Sequence, residues 1–322
     1  MPASVAIITR DQDTAADLVV HELRKRDAVI YRFDLADFPT RMTQAAYLIP
    51  GRARWTGALK GQHRDVDLSG LTAVWYRKPS TFRLHQGMSA TEQEWAATEA
   101  RAGFGGQLAA LPGVRWINHP HRNAEADHKP LQLARADACG LAVPESLLTN
   151  DPDAARAFCH AHHDTGVIYK PLHGGPANEN GQPVALWATS VTADDITDGV
   201  ARSSHLFQAR IPCAYAVRLT VVGEQMFAVR IDAPEDSAAV DWRQDHDQLR
   251  YTPIDVPDDV AAGTRQLLQS FGLTYAAIDW VVTPDGQWTF IGDLNPNGQW
   301  GWIQAHTGLP IAAAIADELA RE

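Results

Sequence analysis

The chain has 322 residues, of which 45% are apolar and 21% charged, and its formal net charge is −11. That length can bury a large core in about two or three subdomains. The acidic balance argues against nonspecific binding to nucleic acid or an anionic membrane, because there is no surplus of cations to neutralise phosphates. Three scattered cysteines, Cys139, Cys159 and Cys213, form neither a disulfide framework nor a zinc site. No stretch approaches the roughly 20 apolar residues of a membrane span, and the N-terminus lacks a signal-peptide pattern. A cytoplasmic protein with no membrane partner is expected.

Ser4 to Thr9 has the pattern of a buried strand, Thr14 to Arg26 that of a helix with an apolar face, and Ala28 to Phe33 that of a second strand. A strand, helix, strand opening predicts a parallel α/β unit. No glycine-rich phosphate loop follows the first strand, so a dinucleotide site has no support. Leu71 to Arg77 is another strand, with Arg77 and Lys78 at its carboxyl end. They could meet an anionic ligand there or simply end the strand in solvent. A helix over about 90–111 and a short strand at Val114 to Asn118 close this part, and His119-Pro120 makes a linker.

Asn123 to Gly140 is expected to be one helix with Lys129 near its middle, and Pro152 opens another to about His162. The strand Gly166 to Pro171 carries Lys170 and runs into a Gly-, Asn- and Pro-rich loop over 172–181. Strands follow at His205 to Ile211, Ala216 to Val222 and, after Gly223-Glu224, Gln225 to Ile231. Arg218 and Arg230 stand among apolar neighbours on these runs. Buried arginines are rare unless paired, so each should face a carboxylate or a phosphate, an internal salt bridge being the structural alternative. Residues 232–251 are polar and irregular. A helix over Asp258 to Phe271 and another from about Ile311 complete the chain.

Between those helices, the apolar runs flanking Pro284-Asp285-Gly286 predict a hairpin. Asp279 lies on its first strand, Asp293 and Asn295 on its second. Asp293 and Asn295 are two apart and so share a face. If Asp279 lies opposite, three hard oxygen ligands converge in a manner that suits Mg²⁺ with nucleotide phosphates. Such residues singly are also ordinary turn formers and caps. Asp293 stands out because an unpaired carboxylate beside Phe290, Ile291 and Leu294 would be costly.

The run Asn295-Pro296-Asn297-Gly298-Gln299-Trp300-Gly301-Trp302 resembles the ATP-grasp maturases of ribosomal peptides, the graspetide synthetases, particularly those of the actinobacterial type. Trp75-Tyr76-Arg77-Lys78-Pro79 and Asp241-Trp242-Arg243 match recurrent runs there. The resemblance covers essentially the whole chain. It implies an α/β (α+β) ATP-grasp fold with a pre-ATP-grasp α/β domain over 1–118, a central lid subdomain over 119–203 and an antiparallel-sheet metal and catalytic subdomain over 204–322. It also implies ATP and Mg²⁺ as cofactors, with Asp279, Asp293 and Asn295 as metal ligands. Lys129 and Lys170 would bind phosphates, and the backbone of Gln208, Ala209 and Ile211 would read adenine. Arg218, Arg230 and Arg243 would serve phosphoryl transfer, and Arg77, Lys78 and Asp241 the peptide. The sequence departs from the family pattern at Ala209 and Ala216, where acidic residues are common.

The activity implied is an ADP-forming ligation. An Asp or Glu side chain of a precursor peptide (a leader plus an acidic core with Thr or Lys) is phosphorylated, then attacked by a hydroxyl or amine of the same peptide. The resemblance also leaves room for a homodimer. Rivals are a ligase that adds a free amino acid to a peptide terminus and a nucleotide-bound peptide-recognition protein without catalysis. Helical HxxxH or HExxH spacing, a Gly-x-Ser-x-Gly elbow and a cysteine set for nucleophilic work are all missing, so zinc and covalent catalysis have no support.

Overall fold

The computed structural model describes residues 2–62, 64–172, 188–232 and 249–321, together with the backbone of 177–179 and 182–184. Asp241, Arg243 and most of the expected loop over 172–181 lie outside these residues. The chain divides into two compact units, one comprising Met1–Asn123, Leu273–Tyr275 and Gln299–Glu322, the other Ala124–Gly272 and Ala276–Gly298.

In the first unit, β1 (Ser4–Thr9), α1 (Thr14–Arg24) and β2 (Val29–Phe33) form the expected parallel start. Asp13 caps α1 by accepting from the Ala16 N–H at 3.3 Å. The chain then makes a small antiparallel sheet of β3 (Thr43–Leu48), β4 (Trp55–Lys60) and β5 (Asp65–Asp67), which the sequence reading passed over. β6 (Ala73–Lys78) returns beside β1. α2 (Ala90–Ala100) and α3 (Gly106–Ala109) are joined by a π-helical turn over Arg101–Gly105, so the single helix expected here changes hydrogen-bond register midway. β7 (Arg115–Ile117) completes a parallel sheet of order β2-β1-β6-β7. Its alternating residues Ala6, Ile8 and Val74 pack with Phe104, Leu108 and Leu111 in one core.

The buried Asn118 captures the returning segment 273–275. Its Oδ1 accepts from the Thr274 and Tyr275 N–H groups, and its Nδ2 donates to the Tyr275 carbonyl at 2.8 Å. Next along the chain, α4 (Pro120–Ala126) leads out of this unit.

The second unit opens with α5 (Lys129–Ala138), β8 (Ser146–Thr149), α6 (Pro152–Ala161), β9 (Val167–Lys170), β10 (Ala177–Glu179), β11 (Gln182–Val184), β12 (Thr189–Val191) and β13 (His205–Ala209). The helix expected over 123–140 is broken before Lys129, which therefore opens α5 instead of sitting mid-helix. Pro130, tolerated only in a helix's first turn, is the signal that marks the break. β12-β9-β13-β8 form an antiparallel sheet. A five-stranded sheet follows, ordered β16-β15-β14-β17-β18. Its strands are β14 (Tyr215–Val222), β15 (Gln225–Asp232), β16 (Arg250–Ile254), β17 (Tyr275–Val282) and β18 (Trp288–Asn295), and α7 (Asp258–Phe271) precedes β17. α7 ends where Gly272 takes a left-handed φ of 64°, as its sequence predicts. In the first unit again, α8 (Gly301–Thr307), absent from the sequence reading, and α9 (Ile311–Ala320) end the fold, with α9 packed on α1.

Candidate active site

The predicted hairpin is present. β17 and β18 pair at Ala277↔Asn295 and Ile278↔Leu294, and again from Trp280↔Phe290 to Val282↔Trp288. Between these blocks Ile291, Gly292 and Asp293 stand against Asp279 alone. This bulge sets Asp279 abreast of Asp293 and re-aims the carboxylate of Asp293. Gly292 adopts a φ of 76°, and a Cβ there would sit 3.2 Å from Leu133 of α5, so helix and strand approach as closely as glycine allows. Just beyond, the buried Gln132 binds the backbone of Leu294. It accepts from the N–H at 3.0 Å and donates to the carbonyl at 2.8 Å. Leu294 lies between Asp293 and Asn295, so Gln132 holds the backbone of both. Its position one turn after Lys129 was the only sequence signal for that role.

Lys129 and Lys170 meet on Asp293. The Lys129 ammonium donates to Oδ1 of Asp293 and to the Gly292 carbonyl at 3.2 Å. The Lys170 ammonium donates to Oδ2 at 2.8 Å and to the Ile291 carbonyl at 2.7 Å. The side chains of Lys170, Lys129 and Asp293 are only 7%, 14% and 15% exposed. Three residues far apart in sequence are thus drawn into one nearly dry cluster.

The second carboxylate, Asp279, is 3% exposed and accepts from Arg218 Nη1 at 2.7 Å. Arg218 also reaches the turn after Asn295. A Cβ on Gly298 would lie 3.2 Å from Arg218 Nη2 and 2.3 Å from the Ala277 Cβ. Asn295 itself uses Oδ1 to accept from the Asn297 N–H at 3.0 Å, an Asx turn. Gly298→Ala should accordingly destabilise the protein by about 1–3 kcal/mol through overpacking and cut turnover by pushing Arg218 aside. Paired thermal unfolding and activity measurements check this, and a variant matching wild type in both would contradict the close approach.

Arg218 and Arg230, grouped together on sequence, point to opposite faces of the sheet. Arg218 is registered with Val229 and Arg230 with Val217, and successive residues alternate faces. The two-residue Gly223-Glu224 turn carried that information, because it pairs Val222 with Gln225 and fixes every partner above. Arg230 lies over the Tyr215 ring at 4.1 Å and pairs with Asp232 at 2.7 Å. It makes the internal salt bridge weighed as the alternative and does not join Arg218.

On β13, Gln208 is buried and donates to the Ser146 hydroxyl at 3.0 Å. The Ala209 N–H is committed to the Glu145 carbonyl at 2.9 Å. Among the described residues the Ile211 N–H has no hydrogen-bond partner. In the first unit, Arg77 does not end its strand in solvent, since it is 1% exposed. It donates to Gln299 Oε1 at 2.7 Å and lies 3.8 Å from Asp13, whose carboxylate also accepts from the Thr9 hydroxyl at 2.7 Å. Burial pushes its pKa down, with Tyr275 and Asp13 opposing. Lys78 beside it is half-buried.

No group of three His, Cys, Asp or Glu able to hold a metal occurs among the described residues. The donor set nevertheless fits a hard cation bound with polyphosphate. Two carboxylates and an amide oxygen lie along one bulged hairpin, with three cationic side chains gathered on the carboxylates.

The family of the MvdD pre-ATP grasp domain matches residues 4–124. Among solved structures, the macrocyclase MdnC bound with precursor peptide MdnA from Microcystis aeruginosa MRC is 28% identical, with 99% of each chain covered and a TM-score of 0.86. A Chryseobacterium gregarium RiPP-associated ATP-grasp ligase in complex with ADP and a leader and core peptide is 27% identical over 98% of this chain and 96% of that one, with a TM-score of 0.88. PsnB complexed with minimal precursor, Mg and ADP is 25% identical over 98% and 96%, with a TM-score of 0.76. Among curated protein sequences, none matches this chain.

The fold is that of an ADP-forming ATP-grasp ligase, and the expected architecture with its pre-ATP-grasp domain and antiparallel sheets is borne out. Within that class the chain is similar over nearly its whole length to ATP-grasp macrocyclases and ligases solved with precursor peptides.

Proposed function

We propose that the chain closes rings in an acidic precursor peptide by activating an Asp or Glu side chain and joining it to a Ser, Thr or Lys side chain of the same peptide. The γ-phosphoryl group passes from ATP to the carboxylate, and the hydroxyl or amine then displaces phosphate to leave an ω-ester or ω-amide. The observation that carries this reading is the nearly dry Lys129–Asp293–Lys170 cluster beside the Arg218–Asp279 pair. Phosphoryl transfer needs positioning and charge, with no protein nucleophile. The relatives solved with ADP, Mg and peptides support the same ligands here.

In this reading Lys129 and Lys170 hold phosphates, and Asp279, Asp293 and Asn295 hold Mg²⁺, which would neutralise phosphoryl oxygens when bound. The Ile211 N–H, the Ala209 carbonyl and Gln208 meet the adenine. Arg218 faces the transferred group. Lys78 contacts the peptide, while Arg77 keeps Asp13 and Gln299 in place. Roles for Asp241 and Arg243 rest on the family resemblance. The functional division is a peptide-side region over 1–118, a lid region over 119–203 and a catalytic region over 204–322. No helix among the described residues is long and apolar enough to cross a membrane, and a cytoplasmic site of action suits the ATP requirement.

A homodimer is part of this proposal. Leu48 and Trp55, cross-strand partners on one face at the end of the β3–β4 hairpin, are 53% and 37% exposed, Ile49 just beyond them is 44% exposed, and β3 is an edge strand. Such a patch on an open edge favours a second copy. Leu48→Glu should shift the protein to monomer in light-scattering chromatography.

The deciding experiment incubates the protein with ATP, Mg²⁺ and short acidic, Thr-containing peptides found by searching the neighbouring reading frames, followed by mass spectrometry. Loss of one water per ring with matching ADP release is expected. A gain of one amino-acid residue would indicate the terminal ligase instead, and nucleotide binding without any mass change the non-catalytic recognition protein.

A further inference from the structure

Asp293 is asked to do two things with the same two oxygens. Oδ1 receives Lys129 and Oδ2 receives Lys170, each lysine being anchored as well on a carbonyl of the bulge, Gly292 or Ile291. A divalent cation on Asp293 would meet both ammoniums head-on, and a phosphate on either lysine would compete with the carboxylate. The ion pairs and the ligand contacts therefore compete for the same oxygens and ammoniums.

We infer that Asp293 is a specificity residue that makes the site accept nucleotide and metal together. Its carboxylate stands in for a phosphate toward Lys129 and Lys170 until a metal ion draws it away. The inference rests on the nucleotide-site reading and adds a coupling to it. A metal-free nucleotide must take the lysines from a carboxylate left bare in a nearly dry site, and a metal without nucleotide must approach two ammoniums with no phosphate to receive them. Each ligand removes the obstacle to the other, so each raises the other's affinity by the same factor. Geometry favours this over a passive salt bridge. Both lysines converge from separate elements, α5 and β9, on one carboxylate that a strand bulge has turned toward them.

The test measures ADP binding by calorimetry, with EDTA and with Mg²⁺, for wild type and Asp293→Asn. Wild type should gain roughly 5- to 150-fold in ADP affinity from Mg²⁺, the ordinary range of coupling between sites. Asp293→Asn should bind metal-free ADP more tightly than wild type does and gain almost nothing from Mg²⁺. Metal-free ADP bound equally or more weakly by the variant would overturn the inference.

A reciprocal measurement covers the case of a variant that does not fold. Lys129→Gln should bind Mn²⁺ alone, followed by electron paramagnetic resonance, more tightly than wild type, and unchanged or weaker binding would overturn the inference as well. Failure of wild type to bind ADP under either condition would instead remove the nucleotide-site reading itself.

Discussion

Asp293→Asn is expected to form no rings. Its loss of turnover should reach at least about 10²–10³-fold, the scale of removing one preorganised electrostatic partner. The structure adds a second effect. Asp293 neutralises two nearly buried lysines, so the substitution leaves uncompensated charge and should destabilise the fold by about 3 kcal/mol, the lower end of what breaking a buried pair costs. Mass spectrometry of the peptide and thermal unfolding without nucleotide read the two effects separately. Asp293→Glu, which restores the charge and a metal-ligating oxygen, should recover much of the stability and part of the turnover. An Asp293→Asn enzyme that modifies its peptide at near wild-type rate would sink the metal assignment.

Arg218→Ala should be comparably severe, for a different reason. Asp279 would be left 3% exposed without the guanidinium that now sits 2.7 Å away, a loss of about 3–5 kcal/mol when one partner of a buried pair is removed. Phosphoryl transfer should fall as well, by about 10²–10³-fold. Arg218→Lys keeps the charge but not the planar fork, so it should rescue stability better than turnover. Arg230→Ala provides the contrast, since Arg230 projects from the other face and pairs with the nearby Asp232. Its turnover should stay close to wild type. Equal losses in Arg218→Ala and Arg230→Ala would show that sheet face does not separate their roles.

Sequence reading succeeds where one local rule decides the outcome. Pro284-Asp285-Gly286 does make the β17–β18 turn, with the Gly286 N–H donating to Thr283 and a φ of 88° at Gly286. α7 runs over Asp258–Phe271 as its acidic first turn and closing Gly272 predict. The reading fails where several rules compete. Apolar periodicity puts Lys129 mid-helix, whereas Pro130 makes it the first residue of α5. The β3–β5 sheet escapes such reading because residues 43–67 alternate weakly, burying Leu59 and Val66 while leaving Tyr47, Leu48 and Trp55 exposed.

The burial of Arg77 is not legible in the sequence because it depends on Asp13 and Gln299, the latter more than two hundred positions away. The meeting of Lys129 and Lys170 on Asp293 is likewise tertiary. The residues were identifiable singly, but their mutual neutralisation was not, because nothing in their spacing encodes a shared partner.

The segmented make-up of the first unit bears on how the polypeptide matures. Its parallel sheet is built from the first 123 residues, yet α1 is covered by α9, whose Ile311, Ala312, Ile315 and Leu319 are buried and whose Asp317 holds Arg26 at 2.6 Å. During translation those residues emerge after the whole second unit has been made. The nascent amino-terminal sheet must therefore wait with an apolar helix face uncovered, a stage at which chaperones engage such surfaces. A fragment ending near residue 124, although it spans a recognisable sequence family, would carry that bare face permanently. It should be recovered as aggregate unless residues 301–322 are supplied in trans.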